Sequence, residues 1–217
     1  MKQINTYKYG MKNIKNYINE KLHITSKQQY TYHPTTKDEL QEIIIKRIKK
    51  EGPECDLNDI DVYEIKDMSH LFDGAEWEYG NTIFKDFNGD ISLWNVSNVT
   101  NMNNMFWGCI KFNCNLSNWD VSNVEDMCCM FYWCEKFNCD LSKWDVSNVE
   151  NMGNMFAFCK EFNCDISKWN VSNVKEMYGM FHECEKFNCD ISKWNVSNVE
   201  RMEGAFYKCP TKPKWYK

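Results

Sequence analysis

The sequence predicts an α/β repeat solenoid, and three observations lead to this fold class. First, the same text returns every 25 residues, most clearly in Trp94, Trp119, Trp144, Trp169 and Trp194. Second, apolar residues hold fixed places in each unit, with polar residues between them. Third, one unit offers about ten inward apolar side chains, worth roughly 1.5–3 kcal/mol each, against roughly 1–2 kcal/mol per ordered backbone position. Each unit must therefore stack on its neighbours.

Six units fill residues 55–209. The first begins at Cys55 and is degenerate, because Ile60 stands in the place of the tryptophan. About nine additional residues near 73–84 delay the second unit, and we expect them to form a loop on one face of the array. The chain then divides into four parts: an N-terminal extension (1–28), an N-terminal helical cap (29–54), the repeat array (55–209) and a C-terminal tail (210–217).

Each unit is predicted to contain a short strand and a short helix. Apolar residues at helical spacing predict a helix over 122–134, and Ser122 with Glu125 forms a capping-box pattern at its start. The segment 140–146 alternates at Ser142, Trp144 and Val146, which predicts a short strand. Six such strands stacked side by side would form a parallel sheet along one side of the array.

The predicted cap begins with a second capping box, Thr36 and Glu39, followed by an amphipathic helix. The apolar stripe of this helix comprises Leu40, Ile43, Ile44 and Ile48. The helix should end at Gly52 and Pro53. A weaker helix is predicted around Ile14, Ile18 and Leu22. At the other end of the chain, Pro210 and Pro213 end the repeat and leave a short tail.

The recurring pattern M-x-x-M-F-x-x-C-x-x-F-N-x-D-[IL]-S-x-W-[DN]-V-S-N-V resembles the BspA-like leucine-rich repeats of bacterial surface proteins, and most closely their 25- or 26-residue branch. The lead-in 32–40 is similar to the Y-x-P-x-T-K-x-E-L segment that opens many such domains. The resemblance covers roughly 29–209, and it implies a leucine-rich-repeat-like right-handed superhelix that binds proteins or surfaces and has no catalytic residue. The sequence departs from the family at Cys114, Cys139, Cys164 and Cys189, where relatives more often have Gln.

Composition limits the classes of partner and the location. Residues 1–54 carry 11 Lys/Arg against 6 Asp/Glu, whereas the remainder carries 15 against 25 and is acidic. An acidic body argues against a nucleic-acid partner. No stretch approaches 18 apolar residues, so no membrane span is predicted. No signal-peptide pattern begins the chain, which reads as cytoplasmic as written, with a cell-surface or secreted location as the alternative.

Ten of the twelve cysteines fall in two columns, and Cys128 and Cys129 are additional. We interpret the first column as small buried hydrophobic residues, with disulfides or adventitious metal as alternatives: Cys109, Cys134, Cys159, Cys184 and Cys209. The second column, which follows an asparagine in every unit except the first, is expected to be partly exposed: Cys55, Cys114, Cys139, Cys164 and Cys189.

Two columns of Asp and Asn could suggest stacked calcium sites, but the calcium-binding repeat pattern is absent. Turn formation through side-chain-to-backbone hydrogen bonds is the favoured interpretation. The sequence shows no nucleophile elbow, phosphate loop or metalloprotease pattern. We therefore predict no catalytic residue, no metal and no cofactor.

The few positions that differ between units are the candidate binding residues. They lie just after the Met-Phe pair, where large aromatic side chains replace one another from unit to unit. Together with Tyr178 they give a predicted site of Trp107, Tyr132, Trp133, Phe158, Tyr178, His182 and Tyr207. The competing interpretation is that these side chains only fill the space between neighbouring units. The sequence thus predicts a non-enzymatic scaffold for a protein or surface-glycan ligand, or alternatively a cell-surface adhesin or structural protein whose export signal is missing from this chain.

Overall fold

The computed structural model describes residues 30–76 and 80–217. Within them, helix α1 spans Lys37–Glu51, as predicted. Thr36 caps its start by accepting a hydrogen bond from the Glu39 amide, and Gly52, at φ 93°, ends it. Leu40, Ile44 and Ile48 form its buried face. The helix predicted around Ile14, Ile18 and Leu22 lies outside the described residues.

The repeat units contain turns where the sequence predicted a strand and a helix. Besides α1, the described residues hold one 3-10 helix, Thr82–Phe84, and isolated parallel bridges. Five bridges join equivalent residues of consecutive units: Asp67 to Asn101, Asn101 to Asp126, Asp126 to Asn151, Asn151 to Glu176, and Glu176 to Arg201. The strand over 140–146 and the helix over 122–134 were therefore wrong.

The hydrogen bonds of residues 127–134 explain the missing helix. Four alternate amides donate to carbonyls of the next unit at 2.8–2.9 Å: Met127 to Asn151, Cys129 to Gly153, Phe131 to Met155 and Trp133 to Ala157. The intervening amides of Met130, Tyr132 and Cys134 donate to the carbonyl three residues back. A helix would use every amide locally. Here half of them link one unit to the next, so the apolar stripe belongs to a series of turns.

The same ladder recurs across the array. Each unit donates from four alternate residues to the following unit, beginning at Met68 and continuing to Glu183. The capping box predicted at Ser122 and Glu125 is absent, because the Ser122 hydroxyl donates to Asp120 and the Glu125 amide donates to Thr100 O at 2.8 Å. Each unit is therefore hydrogen bonded to its neighbours through its backbone.

Aromatic columns form the core between the turns. Consecutive tryptophans stack, for example Trp144 and Trp169 at 6.5 Å between ring centroids and 3° between planes. Each indole donates to a carbonyl of the preceding unit, as Trp144 Nε1 does to Leu116 O at 3.0 Å. Two phenylalanine columns stack beside them, with Phe131 and Phe137 only 3.9 Å apart. The prediction that the tryptophan column and the methionines of the repeats form the core is confirmed by their burial, with Met202 of the last unit partly buried.

The Asp and Asn columns serve turns, as the favoured interpretation predicted. Their side-chain oxygens accept from the amide two residues later, for example Asp140 from Ser142 and Asp145 from Ser147. A further asparagine column ties units together, since Asn148 Nδ2 donates to Ser122 O at 2.6 Å. Among residues 30–76 and 80–217, no group of three or more His, Cys, Asp and Glu is placed to hold a metal ion.

Four of the five thiols of the first cysteine column are buried, as predicted, and Cys209, in the last unit, is half-buried. Each of its inner thiols donates to a phenylalanine carbonyl of the preceding unit, at 2.9–3.0 Å: Cys109 to Phe72, Cys134 to Phe106, Cys159 to Phe131 and Cys184 to Phe156. In the second column, Cys114 and Cys189 are half-buried, whereas Cys55, Cys139 and Cys164 are buried. All twelve cysteines are free thiols.

Both ends of the array are covered. In α1, Lys37 donates to Ser69 O and Gln41 donates to Leu71 O, both carbonyls of the first unit. At the other end, the indole of Trp215 donates to Ile191 O at 3.1 Å. This bond continues the tryptophan ladder, so the tail takes part in the core.

The insertion near 73–84 also reaches the core. Asp73 is buried, accepts from the Ala75 amide at 3.0 Å and bonds the His70 ring at 2.7 Å. Phe84 is buried and packs edge-on against Phe72. The described parts of the insertion therefore form more than the surface loop that the sequence predicted.

Candidate binding surface

Six of the seven predicted binding residues come together in one continuous series of ring contacts. We call this series the aromatic ridge: Trp107, Tyr132, Trp133, Phe158, His182 and Tyr207. Neighbouring ring centroids are 4.8–5.4 Å apart between consecutive units, from Trp107–Tyr132 at one end to His182–Tyr207 at the other. The ridge thus crosses five consecutive units.

The backbone holds part of the ridge in an unusual conformation. Trp133 and Phe158 have φ values of 62° and 63°, in the left-handed region. Gly108, the equivalent residue of the second unit, has a φ of 74°, which glycine adopts without strain. A non-glycine residue pays roughly 1–2 kcal/mol in this region. The equivalent residues of the last two units, Glu183 and Lys208, also have a φ of 55°, so the turn imposes this conformation whichever residue occupies the position.

The ridge is accessible to a partner. Trp133 is 42% exposed and Tyr207 is 52% exposed, so they account for two of the four exposed large hydrophobic side chains among the described residues. The other four ridge residues are partly buried. Neighbouring rings are tilted by 48–63° along most of the ridge. The ridge therefore presents ring edges beside ring faces.

Ion pairs between consecutive units border the ridge. Glu183 pairs with Lys208 at 2.6 Å, and Lys160 pairs with Glu135 at 2.8 Å. The hydrogen bond from Lys208 lowers the pKa of Glu183. Because these pairs are exposed, each contributes little to stability. They surround the aromatic side chains with a polar rim of mixed charge, as in many protein interfaces.

A cleft of about 300 Å³ opens beside Trp133, where the ridge approaches the insertion. It is lined by Gly74, Ala75, Glu76, Lys85, Gly108, Ile110 and Trp133. Gly108 has no side chain at the position from which Trp133 and Phe158 project. A Cβ atom there would lie 3.2 Å from the Ala75 amide nitrogen. The close approach of the insertion therefore requires a small residue, and it leaves space next to the exposed indole.

Tyr178, the seventh predicted residue, lies apart from the ridge. Its ring occupies the space beside Gly153, where a Cβ atom would come within 2.5 Å of it. The Arg201 guanidinium lies 4.7 Å from the ring centroid. The Tyr178 hydroxyl is 3.4 Å from Cys128 Sγ. The structure therefore separates Tyr178 from the other six residues and places its side chain over a pair of cysteines, and a binding role for Tyr178 stays a prediction.

Comparison with known proteins identifies the family. The model of the family described as "Mycoplasma protein of unknown function, DUF285" matches residues 45–157 and again residues 140–214. The chain belongs to this family. The two matches overlap within the repeat array, and together they run from the second half of α1 into the tail. None of the curated proteins matches the DUF285 chain, and none of the solved structures does.

The part of the chain that the structure describes contains no candidate for a membrane-spanning helix. There, no helix combines the length and the apolar character needed to cross a bilayer.

Proposed function

We propose that this DUF285 chain is a non-enzymatic protein-interaction scaffold whose contact surface is the aromatic ridge. Its architecture would be a leucine-rich-repeat-like right-handed solenoid of the 25/26-residue BspA-like branch. The observation that carries the proposal is the contrast between columns. Core positions repeat almost unchanged from unit to unit, whereas the ridge positions vary and place exposed aromatic side chains in mutual contact.

The tilt of the rings favours a protein over a glycan as the ligand. A sugar ring stacks best on a flat aromatic face, and the ridge offers mutually tilted rings that present edges beside faces. A protein can pack its own apolar side chains against such an uneven surface and into the cleft beside Trp133. Tyrosine and tryptophan side chains are the usual energetic centres of protein interfaces, where a polar rim excludes water around them.

The resemblance to repeats of bacterial surface proteins supports an alternative in which the scaffold acts at the cell surface as an adhesin or structural protein. A cytoplasmic scaffold and a surface scaffold would use the same ridge. Cell fractionation followed by protease treatment of intact cells separates them, because a surface protein is degraded and a cytoplasmic one is protected.

Loss of two ridge side chains should abolish partner capture. We expect the wild-type chain to retain a partner from a lysate of its own cells. The Trp133→Ala/Phe158→Ala variant should retain at most about one tenth of that amount, because a central aromatic side chain contributes about 2 kcal/mol or more to binding. Quantitative mass spectrometry of the captured proteins measures this loss.

Leu93→Ala is the matched control, since Leu93 is a large apolar side chain, 55% exposed, outside the ridge. It should capture the partner as the wild type does. Equal capture by the double variant, with an unchanged thermal unfolding curve, would rule out the ridge as the contact surface.

A further inference from the structure

Cys128 and Cys129 lie outside both cysteine columns and form a thiol pair of their own. Their Sγ atoms are 3.6 Å apart, in hydrogen-bond contact. A disulfide has an S–S length of about 2.05 Å, so the two sulfurs must approach further. Adjacent Cα atoms lie about 3.8 Å apart, closer than in most disulfides, so closing the bond also requires the backbone to adjust and gives a readily reduced disulfide. The columnar thiols, in contrast, donate to backbone carbonyls or to Asp and Asn side chains.

Tyr178 covers this pair from two units away. Gly153 has no side chain in the intervening unit, so the Tyr178 ring passes over it and places its hydroxyl 3.4 Å from Cys128 Sγ. Both cysteines are slightly exposed, at 7% and 9%. A small reagent can therefore approach the pair, whereas a large one would meet the Tyr178 ring first.

The contacts of Cys128 stabilise its thiolate. The hydrogen bond from Cys129 lowers the pKa of Cys128 and outweighs the opposite effect of burial, and the Tyr178 hydroxyl lowers it further. The half-buried Cys114, by comparison, has its pKa raised to about 11 by burial. At neutral pH, Cys128 is therefore the stronger candidate for a reactive thiolate.

We propose that Cys128 and Cys129 form a modification site for hydroperoxides, with Cys128 as the attacking thiol and Cys129 as the resolving thiol. The Cys128 thiolate attacks one peroxide oxygen, the O–O bond breaks, and the departing oxygen takes up the thiol proton as water or an alcohol. Cys129 then attacks the sulfur of the Cys128 sulfenic acid. The S–S bond forms, water leaves, and the two electrons lost by the thiols have reduced the hydroperoxide.

Disulfide formation would act on the turn that carries the ridge. The Cys129 carbonyl accepts from the Tyr132 amide at 3.1 Å, and the Cys129 amide donates to Gly153 at 2.8 Å. Cys129 also has a φ of 54°, in the left-handed region. Closing the S–S bond pulls on this residue and therefore on the segment that places Tyr132 and Trp133.

Peptide mapping of the native protein after brief treatment with hydrogen peroxide tests the site. The peptide that contains both cysteines should lose two hydrogen atoms and regain them with dithiothreitol. We expect Cys128 to react faster than Cys114, because its hydrogen bonds lower its pKa whereas burial raises that of Cys114, so more of Cys128 is thiolate at neutral pH. In the Cys129→Ser variant, the sulfenic acid should persist at Cys128 and be trapped by dimedone when the oxidised protein is unfolded in its presence, so that the Tyr178 ring does not block the reagent.

Cys114→Ser is the matched control, and it should leave the oxidation of the pair unchanged. Faster oxidation of Cys114 or Cys189 than of Cys128 would overturn the proposal, as would failure to trap a sulfenic acid at Cys128 in Cys129→Ser. The readout is chemical and requires no bound partner, so it is independent of the role proposed for the ridge.

Discussion

Replacing Trp144 by alanine should lower the free energy of unfolding by about 3–5 kcal/mol. Trp144 is 4% exposed, stacks on Trp169 and donates its indole proton to Leu116 O. The substitution removes a large buried ring from the middle of the array and a hydrogen bond between consecutive units. Neighbouring units cannot close the cavity, because their backbone ladder holds them at a fixed spacing. Denaturant unfolding followed by tryptophan fluorescence measures the loss.

Two further variants separate the causes of this loss. Trp144→Phe keeps an aromatic ring and loses the indole hydrogen bond, so a smaller decrease is expected, about 1–3 kcal/mol. Lys143→Ala changes the exposed neighbouring residue and should leave stability within about 0.5 kcal/mol of the wild type. A decrease below about 1 kcal/mol for Trp144→Ala would show that the tryptophan column contributes little to stacking.

Alkaline pH should destabilise the fold steeply. Burial raises the pKa of four thiols well above its usual value: Cys109, Cys134, Cys159 and Cys184. In the unfolded chain these thiols ionise near pH 8.5. The folded state therefore retains protons that the unfolded state releases, and the stability is complete below about pH 8.5 and decreases above it. Once it is ionised in the unfolded chain, each thiol contributes a slope of about 1.4 kcal/mol per pH unit, or about 5.5 kcal/mol per pH unit for the four together.

Urea unfolding at a series of pH values from neutral to alkaline measures this slope. The Cys134→Ser/Cys159→Ser variant is the control, because a hydroxyl can donate to the same carbonyls without titrating in this range. It should show about half of the slope that the four thiols contribute in the wild type. Identical slopes for the two proteins would mean that these thiols do not govern the alkaline transition.

Several elements followed directly from the sequence because local chemistry determines them. The capping box of Thr36, the apolar stripe of α1 and the glycine at its end predicted that helix correctly. The 25-residue period identified the core columns, since a buried position tolerates little change in volume. The variation between units was also visible in the sequence. It predicted six residues, spread over five units, whose side chains lie together in the ridge.

The short helix and strand were mispredicted because spacing alone does not separate a helix from a series of turns. One column of equivalent residues did indicate a turn instead of a helix. It reads His70, Asn104, Cys129, Asn154, Gly179 and Gly204, and every one of these residues has a positive φ. Asparagine and glycine are the residues that adopt this conformation most readily. Their recurrence argued against a helix at that place in each unit.

The 25-residue repeat pattern could not predict contacts between units that are not neighbours. Trp215 follows Trp194 by 21 residues, off the period, yet it occupies the next place in the ladder. Tyr178 looked like one more variable aromatic residue. Its place beside Cys128 depends on the missing side chain of Gly153 one unit away. An arrangement that involves three units can be recognised only in the structure, where the units are stacked.

Site-specific photo-crosslinking in living cells tests the role of the ridge most directly. A photoreactive phenylalanine derivative in place of Tyr132 should form a covalent adduct with another protein, because Tyr132 contacts three other ridge residues. The same derivative in place of the exposed Leu93 should give no such adduct. An adduct of equal yield at both positions, or at Leu93 alone, would contradict the ridge as the binding surface.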